Sequence, residues 1–213
     1  MNLREHWEKI YSTKLLDKLG WYKPHLETSL KWIKELGLDK KVRIIDVGGG
    51  ASSLVDDLLG EGYRSITVMD LSKNALSLSK ERLGERAGMV TWLEGDITSD
   101  ALPAREYGLW HDRAVFHFLT DSGKRRQYLD NLLTALNHGG HIIIGTFAPE
   151  APPTCSGLPV QRYTPEELAV MFGEGFELKK HLKNLHVTPG GVEQMYLYCH
   201  FVRQSDNTIQ HVR

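Results

Sequence analysis

Apolar and polar positions follow two periods along this chain, and the switches between them predict its elements. Residues 2–14 read as a helix with Leu3, Trp7 and Ile10 on one face beside Tyr11; Asn2 caps it and Glu5 sits at the capping-box position. A loop through Gly20-Trp21-Tyr22-Lys23-Pro24 leads to a second helix. It starts near Pro24, carries Leu26, Leu30, Ile33 and Leu36 at helical spacing, and ends at Gly37. Strand-like runs follow at 42–47, 65–70, 89–93, 107–113 and 141–147. Helical patterns separate most of them, at 52–60, after the cap Ser72, and at 121–137, where Gly139-Gly140 stops the helix. Residues 148–161 read as a proline-rich loop, and Thr164-Pro165-Glu166-Glu167 as a capped helix start. The runs 176–187 and 192–203 form an antiparallel hairpin around Thr188-Pro189-Gly190-Gly191, and the residues after Arg203 a polar tail.

This alternation predicts an α/β fold, with an open, mostly parallel sheet and helices on both faces. Three regions are expected: a helical extension or lid over 1–40, one domain over 41–204, and a tail over 205–213. A length of 213 residues suits one domain with a full core. With 41% apolar residues, 25% charged residues and a net charge of −1, nothing advertises a nucleic-acid or anionic-membrane partner. The start is polar and no run is long enough to span a bilayer, so a cytoplasmic location is expected. Cys155 and Cys199 match no metal spacing, so no metal is expected.

Candidate chemistry gathers at the carboxyl ends of the strands, where open parallel sheets bind ligands. The first strand ends in Asp46, followed by Gly48-Gly49-Gly50 and Ser52-Ser53. The second ends in Asp70, placed to accept the hydroxyls of a ribose. The third leads to Asp96, placed to accept the amine of adenine. A nicotinamide fingerprint needs glycines at the first, third and sixth positions, and the sixth here is Ser53; no P-loop sequence occurs.

The ordered set Ile44-Ile45-Asp46-Val47-Gly48-Gly49-Gly50, Val68-Met69-Asp70-Leu71-Ser72, Leu93-Glu94-Gly95-Asp96-Ile97, His111-Asp112-Arg113-Ala114 and Leu136-Asn137-His138-Gly139-Gly140 resembles the class I S-adenosylmethionine-dependent methyltransferases. The resemblance runs from about 40 to 203 and departs from the family where Ser52 replaces a frequent third glycine. It implies a Rossmann-like seven-stranded sheet with an antiparallel C-terminal hairpin. It also implies S-adenosylmethionine as methyl donor, S-adenosylhomocysteine as product, and no metal. On the same footing, Asp46, Gly48 and Gly50 would surround the methionine part and Asp70 the ribose. Leu71, Asp96 and Ile97 would flank the adenine, and His111-Asp112-Arg113 would close the pocket near the sulfonium. His6-Trp7-Glu8-Lys9-Ile10-Tyr11 also resembles the opening of small members, in which this helix covers the cofactor.

Electron-rich rings suit an onium cation, which makes Trp7, Tyr11, Trp21 and Tyr22 lid candidates; the competing reading makes Trp7 and Tyr11 core aromatics. His117 is a candidate base or substrate orienter, or else a satisfied histidine at a helix start. Arg113 either holds an anionic acceptor or pairs with Asp112. Tyr22, Cys155, Arg162 and Glu193 complete the candidate acceptor wall. Methyl transfer requires alignment and exclusion of water, and a base only when the acceptor must first lose a proton. A small-molecule acceptor (thiol, amine or carboxylate) is expected. The alternatives are a protein-lysine N-methyltransferase and a non-catalytic cofactor-binding subunit that requires a partner.

Overall fold

The computed structural model describes residues 2–205. Its elements are α1 (Leu3–Thr13), α2 (Glu27–Glu35), β1 (Arg43–Val47), α3 (Leu54–Gly60), β2 (Ser65–Asp70), α4 (Lys73–Leu83), β3 (Val90–Glu94), β4 (Tyr107–Arg113), α5 (Ser122–Ala135), β5 (Leu136–Phe147), β6 (Thr154–Cys155), β7 (Leu158–Pro159), α6 (Pro165–Phe172), β8 (Phe176–Val187) and β9 (Glu193–Arg203). The main sheet has seven strands in the order β3-β2-β1-β4-β5-β9-β8. β1 to β5 run parallel, and β9 enters antiparallel between β5 and β8. The seven-stranded, mostly parallel sheet with its C-terminal hairpin is the expected one.

Alternation along the central strands builds a core on each face of this sheet. Ile45, Val47, Trp110, Ile142 and Ile144 face one side, with Tyr128 and Leu132 of α5. Ile44, Val68, Leu109 and Ile143 face the other, with Leu54 and Leu58 of α3 and Trp32 and Ile33 of α2. Strand order reverses between β1 and β4, so their carboxyl ends open a crevice at the switch point.

Both predicted capping boxes form. Asn2 and Glu5 exchange bonds at the start of α1, and Thr164 and Glu167 do so at α6. Three expectations need correction. α2 begins at Glu27 rather than near Pro24, because Leu26 has non-helical angles (φ −86°, ψ 68°) and is buried beside α3. Gly139-Gly140 do not stop α5, which ends at Ala135; they lie within β5. The chain pairs at once through Leu136 with Tyr107, then shifts register before Leu109 meets His141. Gly139 takes φ +70°, and a Cβ on Gly140 would stand 2.7 Å from the Asn137 carbonyl oxygen. The proline-rich segment contains the small hairpin β6–β7, turned by Ser156 and Gly157 at φ 54° and 78°. Apart from Ser205, the predicted tail lies outside the described residues. Among the described residues no helix is long and apolar enough to cross a membrane.

Candidate active site

The crevice is floored by the turn after β1. Gly48 adopts φ +67° and donates its N–H to the Met69 carbonyl at 2.7 Å; a Cβ there would stand 2.0 Å from Val115 Cγ2. Carboxylates press on the next two glycines. A Cβ on Gly49 would meet Asp46 Oδ2 at 2.4 Å, and one on Gly50 would meet Asp70 Oδ2 at 2.4 Å. The three glycines therefore pack acids tightly under a backbone that a ligand can approach.

Two adjoining cavities open above this floor. The larger, about 230 Å³, is lined by Asp70 and Leu71 after β2, by Gly95 to Thr98 after β3, and by Arg113, Ala114 and Val115 after β4. Trp7, Tyr11 and Trp21 roof it, and Phe118 and Cys155 close one side. The smaller, about 50 Å³, is lined by Asp46, Gly48, Gly49 and His111 below and by Tyr22, Lys23 and Leu26 above. Arg113 and Trp21 border both.

The roof is an aromatic cluster. Trp7 meets Trp21 edge-on at 5.4 Å and Phe118 at 5.1 Å, and Tyr11 meets Trp21 at 5.9 Å. Two polar side chains fasten α1 over the crevice. Glu8 accepts the Lys73 backbone N–H at the start of α4, where an acid also complements the helix dipole. Arg4 donates to the Leu71 carbonyl at 2.8 Å and to Glu94 at 3.0 Å.

The acids differ in environment. Burial pushes the Asp70 carboxyl up to about 7, with the neighbouring Asp46 and Glu8 charges adding to it, against the opposing pull of the Ser72 N–H at 2.8 Å. Asp96 accepts from the Thr98 N–H and hydroxyl through Oδ1, at 2.8 and 2.6 Å. Asp46 is buried, bonded to His111 Nδ1 through Oδ1 at 2.6 Å, and its Oδ2 has no partner.

Around Arg113 the expected pairing with Asp112 does not form. Asp112 is fully buried and turned away, accepting from the Val115 and Phe116 N–H groups at 2.9 and 3.1 Å and from Tyr128 Oη at 2.7 Å. Adjacent side chains on a strand point to opposite faces, which separates the two. Arg113 instead stacks 4.5 Å above the Tyr196 ring and donates to Tyr198 Oη at 3.1 Å and the Trp21 carbonyl at 3.0 Å. Among the described residues it makes no ion pair. Its neighbour Ala114 takes φ 73°, a strained conformation at the cavity edge.

A methyltransferase-domain family model matches residues 44–140, which contain the glycine turn and the acids after β2 and β3. The matched domain, the fold and the relatives together mark an S-adenosylmethionine-dependent methyltransferase. Human EEF1A lysine methyltransferase 2 is 23% identical to this methyltransferase, over 90% of this chain and 81% of its own. The bovine eEF1A lysine and N-terminal methyltransferase is 26% identical over 61% of this chain but 18% of its own. Among solved structures, a protein studied for conversion of a disulfide bond into a thioacetal group during echinomycin biosynthesis superposes with a TM-score of 0.75. It is 18% identical, with 98% of this chain and 97% of that one covered. The Burkholderia thailandensis 1,6-didemethyltoxoflavin-N1-methyltransferase, solved with S-adenosylhomocysteine, gives a TM-score of 0.70 at 18% identity, over 95% and 88% of the two chains.

The methyltransferase fold brings Trp7, Tyr11, Asp70, Leu71, Asp96, Ile97, Arg113 and Cys155 to the larger cavity, and Asp46, Gly48, His111 and Tyr22 to the smaller. Gly50 lies beneath, against Asp70 and Ala75. His117, Arg162 and Glu193 line neither cavity. In the tight turn Phe116–Phe118, Phe118 points to Trp7 while His117 turns inward, 4.7 Å from the Phe147 ring. Burial, aided by the Arg113 charge, pushes its imidazole down to about 3, and both its nitrogens lack partners among the described residues. Arg162 is exposed and staples the loop through the Pro149 and Ala151 carbonyls. Glu193 is exposed at the start of β9. The structure adds residues that the sequence reading did not single out. Tyr196 and Tyr198 hold Arg113, Ser29 bonds His111, and Thr98 and Lys124 line the larger cavity with Asp70 and Asp96. The alternation in Tyr196-Leu197-Tyr198 put both tyrosines on one strand face, but nothing local tied them to Arg113.

Proposed function

We propose that this methyltransferase acts on a small acceptor bearing a negative charge, a carboxylate or a thiolate. Arg113 carries the reading: a partly buried guanidinium without a carboxylate partner among the described residues stands where the two cavities meet. Charges withdrawn from water are ordinarily paired, so this site favours an arriving anion.

The glycine turn, the acids at two strand ends and the orphaned Asp46 oxygen suit the cofactor. Asp70 would hold its ribose hydroxyls, Asp96 and Ile97 its adenine, and the smaller cavity its amino-acid end. Bound there, S-adenosylmethionine supplies a methyl carbon already activated by its sulfonium. The chain's part is to align and to exclude water. Arg113 orients the acceptor anion, Trp7, Tyr11, Trp21 and Phe118 enclose the transfer point, and Cys155 fills the wall. α1 serves as the lid. A carboxylate or thiolate needs no base, which agrees with His117 lying outside the cavities.

Protein lysine is the second reading, favoured by the names of the curated relatives. Arg113 weighs against it, because an arriving ammonium would meet a cation at the cavity junction. Release of S-adenosylhomocysteine, measured with panels of small carboxylates, thiols and amines and with lysine-bearing proteins, separates the readings. Turnover of small anions without protein labelling is expected; labelling of protein lysine alone would overturn the proposal.

A further inference from the structure

Behind the glycine turn lies a buried chain of polar side chains to which methyl transfer gives no direct task. Ser29 of α2 stands 2.8 Å from His111 Nε2, and His111 Nδ1 stands 2.6 Å from Asp46 Oδ1. Their exposures are 0%, 1% and 2%, so the chain is almost wholly withdrawn from solvent.

The protons on this chain can be counted. The Ser29 hydroxyl has one proton and, among the described residues, bonds only the imidazole. If it donates to Nε2, the imidazole proton sits on Nδ1 and points at Asp46, and every hydrogen is used. The hydrogen-bond count therefore points the imidazole N–H at Asp46 Oδ1 and the Ser29 hydroxyl at Nε2. The other oxygen of that carboxylate, Oδ2, is buried without a donor, on the side of Gly49 in the smaller cavity. A buried, unpartnered carboxylate oxygen calls for a donor from outside the chain.

We propose that Ser29 and His111 are positioning residues: Ser29 fixes the tautomer of His111, and His111 aims the Asp46 carboxylate so that Oδ2 meets the α-ammonium of the cofactor. Helix α2 thereby contributes to recognition of the amino-acid half of S-adenosylmethionine without touching it. The inference rests on the cofactor and not on the nature of the acceptor.

The test compares calorimetric binding of S-adenosylhomocysteine with that of 5′-methylthioadenosine, which keeps the nucleoside and lacks the amino acid. Ser29→Ala should weaken S-adenosylhomocysteine about fivefold and leave methylthioadenosine unchanged. His111→Leu should weaken the first about tenfold or more, while His111→Asn, whose amide can replace the Nδ1 donor, should restore most of the loss. Methylthioadenosine affinity also reports whether each variant is folded, and if His111→Leu fails to fold, Ser29→Ala and His111→Asn decide. Equal weakening of both ligands, or no change in either, would overturn the proposal.

Discussion

Asp70 and His117 show how burial gives two ionisable side chains opposite roles. The Asp70 carboxyl is pushed up to about 7, whereas ribose hydroxyls donate to a carboxylate and therefore bind its ionised form. Affinity for S-adenosylhomocysteine should rise with pH until about 7 and fall up to about tenfold per unit below it. Calorimetry across pH 5–8 checks this, and Asp70→Asn should flatten the profile as well as weaken binding. His117 is held down at about 3, below its unfolded value, so the native state stays neutral while the unfolded chain takes up a proton. Its linkage lowers stability as pH falls from about 6.5 towards 3, by at most about 1.4 kcal/mol per unit. His117→Leu removes that slope and two unpartnered nitrogens. It should raise stability at pH 5 by about 1–3 kcal/mol in urea melts, with activity retained. Asp46, Asp70 and Asp96 were legible from their places at strand ends. The inward turn of His117 was not, because it depends on which residue of a three-residue turn meets Phe147.

The glycine turn and the helix above it are each one element supported by another. The glycine turn works because Val115, Asp46 and Asp70 press on it from three strand ends. Gly48→Ala would force both a clash with Val115 and a positive φ, at a cost of about 1–3 kcal/mol or more, visible as a lower melting temperature with lost cofactor binding. Helix α1 is latched to α4 through Glu8 and to the end of β3 through Arg4. Glu8→Ala should speed S-adenosylhomocysteine release several-fold in stopped-flow measurements while leaving the global melt within about 1 kcal/mol; an unchanged release rate would mean that α1 is fixed packing rather than a lid. Strand and helix periods, the caps Asn2, Ser72 and Thr164, and the C-terminal hairpin could all be read locally. The start of α2 and the continuation of β5 through Gly139-Gly140 could not. Both are set by what Leu26 and Leu136 bury against elsewhere in the chain.

Across the molecule as a whole, the donor side was readable because its residues follow in order at successive strand ends. The surroundings of Arg113, proposed as the acceptor side, were not, because they assemble from distant segments. β4 brings Arg113, β9 brings Tyr196 and Tyr198, the loop before α2 brings Trp21, and the β6–β7 hairpin brings Cys155. The net charge of −1 hides this local cation entirely. Arg113 borders both cavities, so an anion drawn to it could belong to the acceptor or to the carboxylate of the cofactor. Kinetics and calorimetry on Arg113→Gln, with an acceptor found by the turnover screen, separate the two. Loss of a charged hydrogen bond to the acceptor should raise its KM about tenfold or more, with S-adenosylhomocysteine affinity within about twofold of the parent. An unchanged KM, with that affinity falling tenfold instead, would contradict the assignment of Arg113 to an anionic acceptor.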